Sequence, residues 1–272
     1  MDDALRSLFD DLAAEHDALD SVVADLADER WDAPTPAVGW RVRDEIGHLA
    51  YFDERGRDAA ADPDAFVAHR DAGLADFDAF ATETERLGRE QTGATLLATW
   101  RAARREMLGA LRELAARDPS ARLPWYGPPM SMRSFVTARL METWAHGQDV
   151  VDALGFGVDA RPPTDRLRHI AFLGCATRGW SYTVRGLEAP TTAVRVELTL
   201  PSGAVFEHGD AGAPDAVRGS ALDFCLVVTQ RRNVADTELA VAGAAAAEWL
   251  SIAQCFAGRA TDPPPATGRR SA

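Results

Sequence analysis

The segment SMRSFVTARLMETWAHGQDVVDALG, residues 131–155, predicts one long helix over about 132–154. Ser131 is a favourable N-cap because its hydroxyl can accept a hydrogen bond from a backbone N–H of the first turn. Gly155 is a suitable end point, since glycine readily adopts the left-handed conformation that terminates many helices. Apolar residues recur between these two positions and indicate packing against other helices; they include Phe135, Leu140, Trp144 and Val150.

Two candidate metal ligands, Glu142 and His146, lie four residues apart on this helix. That spacing places them about 6 Å apart along the axis and about 40° apart around it, so both side chains leave the same face. A carboxylate and an imidazole in this arrangement can hold one divalent ion. The same spacing is also typical of a solvated side-chain pair, so the pattern alone leaves both interpretations open.

A third candidate ligand, His48, lies in the middle of a second predicted helix, about 41–60. Its face is largely apolar, and a histidine there can also be an ordinary hydrogen-bonded core residue. Two nitrogen ligands and one oxygen ligand suit a zinc ion that keeps a position open for water or substrate. If the three residues form one site, the expected ion is a divalent metal, with Zn²⁺ first and Ni²⁺, Fe²⁺ or Mn²⁺ as alternatives.

Further helices complete the N-terminal part of the chain. Apolar residues at steps of three and four predict helices over 3–28 and 93–117, and residues 61–92 are mixed, with short helical pieces. We therefore expect residues 1–155 to form a four-helix bundle with up-down topology and one long crossover.

The pattern changes after a linker at 155–163 that is rich in glycine and proline. Residues 160–258 predict a smaller α+β domain, so the fold class is α+β. Its predicted elements are helices at 164–185, 220–230 and 244–257, a hairpin of strands at 194–200 and 204–208, and a strand at 238–241. Residues 259–272 predict a disordered tail.

Composition excludes several classes of function. The chain has 29 basic and 42 acidic residues, and a net charge of −13 disfavours nucleic acid and anionic membranes as partners. The sequence also lacks phosphate-binding glycine loops and the patterns of serine hydrolases.

The three cysteines, Cys175, Cys225 and Cys255, lie in apolar surroundings and predict buried, reduced thiols. No stretch approaches the length of a membrane span, and the acidic N-terminus does not resemble a signal peptide. We therefore expect a cytoplasmic protein.

Two motifs resemble a known family. WRVRDEIGHLA, residues 40–50, resembles the second-helix motif of DinB-type bundles, and ETWAHGQD, residues 142–149, resembles the fourth-helix motif of the mycothiol-dependent maleylpyruvate isomerase branch. The resemblance implies that His48, Glu142 and His146 are the metal ligands. The C-terminal part resembles the sterol-carrier-like domain that follows the bundle in many of these proteins.

The resemblance also implies an activity. The metal would bind the sulfur of a low-molecular-weight thiol, mycothiol, as a thiolate, which then adds to a small electrophile in a conjugation or an isomerisation. One alternative is a metal-containing protein that binds an apolar or anionic small ligand without catalysis. A DNA-associated stress protein is the other, and the net charge opposes it.

Two acidic residues are candidates for orienting the ligand imidazoles. Asp149 lies three residues after His146, and Asp53 lies five residues after His48. Either carboxylate can act as a hydrogen-bond acceptor behind a metal-bound histidine. The alternative for each is an exposed side chain, which the position of Asp53 favours.

Other candidates concern the thiol and the substrate. Arg139, three residues before Glu142, can pair with that carboxylate or bind an anionic substrate. Trp125 and Tyr126, in the loop before the ligand helix, can line a pocket wall or fill the core.

Arg231 and Arg232 follow a predicted apolar helix in the C-terminal domain. In the resembling isomerases an arginine of this domain helps to bind substrate at the domain interface, and either residue is a candidate counterpart. Their position at a helix C-terminus alternatively indicates a favourable interaction with the helix dipole.

Overall fold

The structure is a computed structural model that describes residues 1–268. The chain divides into two compact units, Met1–Arg161 and Pro162–Ala272. The first is helical and the second contains a small sheet, which confirms the predicted α+β class. None of the helices in the described part combines the length and the hydropathy that a membrane crossing requires.

The first unit is built on four long helices, α1, α2, α5 and α6, with two shorter helices in the crossover between α2 and α5. The bounds are α1 Asp3–Val23, α2 Val42–Ala61, α3 Pro63–Ala75, α4 Phe77–Glu90, α5 Gly93–Arg117 and α6 Met132–Leu154. A short antiparallel pair, β1 Arg122–Leu123 and β2 Met130–Ser131, precedes α6. The mixed segment that follows α2 is therefore two helices.

The α6 helix begins and ends where its sequence indicates. The Ser131 hydroxyl accepts a hydrogen bond from the Ser134 backbone N–H at 3.2 Å, and Gly155 ends the helix with φ +65°. Near the start of α2, Gly47 allows a close helix contact, because a Cβ there would lie 2.5 Å from the backbone nitrogen of Gly88 on α4. The glycine beside His48 is thus required for packing.

Gly147, directly after the candidate ligand His146, makes room for an arginine. A Cβ on Gly147 would lie 2.6 Å from Nη1 of Arg161. That guanidinium donates to the Trp144 carbonyl at 2.8 Å and forms an ion pair with Glu15 on α1, and both charged side chains are buried.

We expect Gly147→Ala to destabilise the protein by about 1–3 kcal/mol, because moving Arg161 leaves the buried Glu15 carboxylate without its charged partner. The control is Gly109→Ala on α5, where a new Cβ meets nothing within 4 Å. This control should stabilise by about 0.5–1 kcal/mol, since alanine is the better helix former. Urea unfolding of both variants makes the measurement, and equal effects of the two would contradict the packing described for Gly147.

His16 on α1 is buried in the bundle, with 1% of its surface exposed. Neither ring nitrogen has a hydrogen-bond partner within residues 1–268. Its ring packs edge-on against Trp100, with centroids 6.2 Å apart. Burial, together with the charges of Arg104 and Arg139, holds the pKa of His16 well below its usual value. The side chain is therefore neutral in the folded protein.

We expect the stability of the His16→Leu variant to depend less on pH than that of the wild type. The unfolded chain takes up a proton near pH 6.5 and the folded chain does not, so stability from His16 is present above that pH and lost below it. When the pH is lowered from 8 to 5.5, the free energy of unfolding of the wild type should fall by about 1.4 kcal/mol more than that of the variant. Urea unfolding at both pH values measures this, and a constant difference would contradict a neutral, buried His16.

The second unit contains four short helices and a four-stranded mixed sheet within the described residues. The bounds are α7 Leu167–Ala176, α8 Arg178–Thr183, β3 Val194–Thr199, β4 Val205–His208, β5 Asp215–Ser220, α9 Ala221–Val228, β6 Ala240–Ala242 and α10 Ala244–Ile252. The strand order is β4-β3-β5-β6, with β3 and β5 parallel and the outer pairs antiparallel. The expected hairpin is β3 and β4. The helix predicted over 164–185 is two helices, and β5 was not predicted.

All three cysteines lie buried in this second unit. Burial raises the pKa of Cys175 to about 12 and raises that of Cys225 well above its usual value.

Residues 259–268, part of the predicted tail, form no helix or strand but make polar contacts. The backbone N–H groups of Thr267 and Gly268 donate to Asp236, and the Asn233 amide donates to the Pro264 carbonyl. The rest of that prediction, 269–272, lies outside the described residues.

Candidate metal centre

The three candidate ligands come together from two helices. His48 lies on α2, and Glu142 and His146 lie on α6. Each offers one donor atom, and these atoms all lie within 4.8 Å of one another. Nε2 of His146 is 3.2 Å from a carboxylate oxygen of Glu142, and the two imidazole centroids are 4.6 Å apart. The fold thus brings His48 next to two residues that follow it by 94 and 98 positions in the sequence.

This donor set fits a divalent metal ion. Two ligands of one tetrahedral zinc, each about 2.0–2.2 Å from the ion, are separated by about 3.3 Å. The 3.2 Å between Nε2 of His146 and the Glu142 oxygen matches that separation. Two imidazoles and one carboxylate also leave a tetrahedral ion one ligand short, as in zinc sites that bind a reactant.

Aromatic side chains pack against the two histidines of the cluster. Trp40 stacks on His146 with centroids 5.9 Å apart and planes 15° apart, and it also packs against His48 at 5.2 Å. Phe52, one turn after His48, packs against it at 4.6 Å. Apolar walls of this kind exclude water and strengthen the electrostatic interactions of the groups inside.

The charges of the cluster favour a cation. Burial raises the pKa of Glu142, but the hydrogen bond and charge of His146, with the charge of Arg139, outweigh it and bring that pKa to about 2. Burial lowers the pKa of His146, but the hydrogen bonds to Glu142 and Glu45 outweigh it and raise that pKa to about 9. In the metal-free protein near neutral pH, His146 is therefore protonated and donates hydrogen bonds to two carboxylates, those of Glu142 and Glu45.

Glu45 is a site residue that the sequence did not single out. Its side chain is fully buried, one carboxylate oxygen lies 2.6 Å from Nδ1 of His146, and the other accepts a hydrogen bond from the Thr35 hydroxyl at 2.7 Å. The available signal was its place three residues before His48 on the same helix face. Its contact with His146 spans 101 positions and depends on how α2 packs against α6.

The structure corrects the roles expected for Asp53 and Arg139. Asp53 does not contact a ligand imidazole; it accepts hydrogen bonds from Arg139 at 2.8 Å and from the Trp100 indole N–H at 3.2 Å. Five residues rotate a helix by about 140°, so Asp53 leaves α2 on another side than His48. Arg139 pairs with Asp53 and not with Glu142. It is also only 3% exposed, which does not fit the expected contact with a substrate or thiol.

Asp149 lies close to the cluster. With Glu45 and His146 it forms a second group whose donor atoms all lie within 4.8 Å of one another. Nδ1 of His146, however, donates its hydrogen bond of 2.6 Å to Glu45. The orienting role expected for Asp149 stays a prediction.

A known family matches this part of the chain. The family model described as the mycothiol maleylpyruvate isomerase N-terminal domain matches residues 12–151, more than half of the 272 residues. The chain belongs to this family. The matched range includes all three candidate ligands of this family member, His48, Glu142 and His146.

Curated relatives extend over nearly the full length. An uncharacterized protein of Mycobacterium tuberculosis, found in two strains, is 44% identical over 260 residues, which cover 95% of this chain and 96% of the relative.

Solved structures of the family share the fold. The crystal structure of the mycothiol-dependent maleylpyruvate isomerase matches with a TM-score of 0.55 and 16% identity, over 84% of this chain and 89% of that one. A histidine-to-alanine mutant of the same enzyme matches with a TM-score of 0.55, 15% identity and the same coverage.

The remaining candidates lie away from the ligand atoms or in the second unit. Trp125 stacks on Phe66 with centroids 5.4 Å apart, and Tyr126 packs against Phe52 at 5.6 Å, so the loop meets the centre through the Phe52 ring. Arg231 and Arg232 follow α9 in the second unit, where each donates to a nearby backbone carbonyl. Their expected role in substrate binding stays a prediction.

Proposed function

We propose that this member of the mycothiol maleylpyruvate isomerase family is a metal-dependent enzyme. It activates a low-molecular-weight thiol, mycothiol, for transfer to a small electrophilic substrate or for isomerisation of that substrate. The observation that carries the proposal is the convergence of His48, Glu142 and His146 from two helices into one group of donor atoms. The family match supports mycothiol as the thiol.

The proposed metal is a single Zn²⁺ held by His48, Glu142 and His146. When bound, such an ion lowers the pKa of a coordinated thiol so that the thiolate is present near neutral pH. The side chains of this chain supply the rest. Glu142 brings the one negative charge of the donor set, and Trp40 and Phe52 cover the imidazoles and limit access of water.

The reactive sulfur has to come from outside the chain. No cysteine lies within Met1–Arg161, the unit that contains the centre. The cysteines of the second unit are buried, and the raised pKa of Cys175 and Cys225 keeps them as thiols at neutral pH. A buried thiol is a poor nucleophile, which supports an added small thiol as co-substrate.

Cobalt substitution tests the proposal directly. We expect the Co²⁺ protein to develop an intense near-ultraviolet charge-transfer band on titration with mycothiol, because cobalt bonds to thiolate. The band should persist when Cys175, Cys225 and Cys255 are all replaced by Ala, and it should disappear in Glu142→Ala, which lacks the carboxylate ligand.

The same titration can overturn the proposal. A cobalt-loaded protein that shows no band at saturating mycothiol would rule out thiol activation. A band that disappears in the cysteine-free variant would place the sulfur in the chain itself. Activity on electrophiles should likewise require added thiol and be abolished by chelators.

A further inference from the structure

We propose that Glu45 is the positioning residue of this centre: its carboxylate holds the His146 ring with Nε2 toward His48 and Glu142, and Thr35 holds Glu45. The inference rests on the proposed function, because it assigns Glu45 a task within the same metal site. It adds a residue that touches no reacting atom and acts through His146.

The two nitrogens of His146 have different surroundings. Nε2 lies 3.2 Å from Glu142, a separation that two ligands of one ion adopt. Nδ1 lies 2.6 Å from Glu45, which is shorter than the separation of about 3.3 Å expected for two ligands of one zinc ion. A distance of 2.6 Å is that of a strong, charge-assisted hydrogen bond.

This hydrogen bond determines the tautomer. A carboxylate oxygen only accepts, so Nδ1 must carry the hydrogen and donate it. In the metal-free protein Nε2 also carries a hydrogen, because it is hydrogen-bonded to the Glu142 carboxylate. When a metal ion takes the place of that hydrogen, the lone pair is on Nε2, which faces the other two candidate ligands. Histidine ligands of metals commonly donate their second N–H to a carboxylate in this way, and the carboxylate makes the ring a better ligand.

The same contact argues against a different ligand set. Glu45, His146 and Asp149 also have donor atoms within 4.8 Å of one another, but that set would use Nδ1 as the ligand. The short hydrogen bond occupies Nδ1, and Glu45 is fully buried among the helices. The geometry therefore favours His48, Glu142 and His146 as the ligands, with Glu45 as the hydrogen-bond acceptor behind His146.

Thr35 extends this support to the loop that covers the centre. Its hydroxyl donates to Glu45 at 2.7 Å, and its backbone N–H donates to the Trp40 carbonyl at 2.9 Å. A β-bridge between Pro34 and Arg41 closes the same loop. The segment that presents Trp40 to His146 is thus tied to the carboxylate that orients the same histidine.

The test compares metal affinity in Glu45→Ala, Glu45→Gln and Thr35→Val by competition with a chelator for Zn²⁺. Loss of a supporting carboxylate typically weakens metal binding about 10- to 100-fold, and we expect that range for Glu45→Ala. Glu45→Gln keeps an oxygen that accepts from Nδ1, so it should recover most of the affinity. Thr35→Val keeps the shape of the side chain and should show a smaller loss.

A spectroscopic readout separates positioning from simple loss of stability. In the zinc-loaded wild type, nitrogen-15 NMR should show Nδ1 of His146 protonated, with its hydrogen protected from exchange. That protected signal should be lost in Glu45→Ala and kept in the control Ile46→Val, which removes a methyl group from the buried residue next to Glu45. The control should also keep wild-type metal affinity.

Each result has one meaning. Unchanged affinity and an unchanged His146 signal in Glu45→Ala would overturn the inference while the proposed function stands. Metal lost in both Glu45→Gln and Asp149→Asn but kept in Glu142→Gln would show that the second ligand set binds the ion, and would overturn it as well. A wild-type protein that binds no metal would overturn the proposed function and the inference together.

Discussion

Replacing both candidate histidines, His48→Ala with His146→Ala, should reduce bound zinc from one ion per chain to nearly none. The reason is that only the Glu142 carboxylate remains of the three donors, and one carboxylate in a protein cleft does not retain zinc through purification. Elemental analysis of protein purified without chelator measures the loss. The double variant should also lose thiol-dependent activity completely.

The control for this prediction is His69→Ala in the same unit. His69 lies 3.0 Å from the Tyr51 hydroxyl and is absent from both groups of possible ligands among the described residues. This variant should retain a full equivalent of zinc. Circular dichroism should show that the double variant still folds, because the apolar core around Trp31, Trp100 and Ile46 does not include the ligands. A full equivalent of zinc in a folded double variant would refute the assignment.

Local patterns predicted the helices that carry this centre. Residues 132–154 were expected to be helical from a capping serine, a terminal glycine and apolar spacing, and α6 has those bounds. The four-residue spacing of Glu142 and His146 placed both on one face, where the structure finds them. Predicting that His48 joins them required the family resemblance, because spacing within one helix says nothing about another helix.

Features that depend on packing between distant segments were missed. Glu45 contacts His146 only because α2 lies beside α6, and no local spacing encodes that contact. Strand β5, Asp215–Ser220, contains a glycine and lacks regular alternation, yet it pairs with both β3 and β6. Its strand character comes from those neighbours.

The largest stability effect is expected from breaking the buried pair of Asp53 and Arg139. Asp53→Ala leaves the Arg139 guanidinium, 3% exposed, without a counter-ion, and leaves the Trp100 indole N–H without its acceptor. Removing one partner of a buried ion pair typically costs about 3–5 kcal/mol. Urea unfolding of the metal-free protein isolates this cost from metal binding. The double variant Asp53→Leu, Arg139→Met removes both charges and should recover most of the stability.

A surface pair provides the comparison, because Asp10 and Arg112 also join two helices but are largely exposed. Asp10→Ala should change the stability little, since water screens exposed pairs. An equal effect of Asp10→Ala and Asp53→Ala would refute the importance assigned to burial.

Because Asp53 and Arg139 lie on α2 and α6, the helices that carry the three candidate ligands, their pair also holds those helices together. Asp53→Ala should therefore weaken zinc binding even though Asp53 touches no ligand, and the charge-free double variant should restore it if helix packing is what the pair provides.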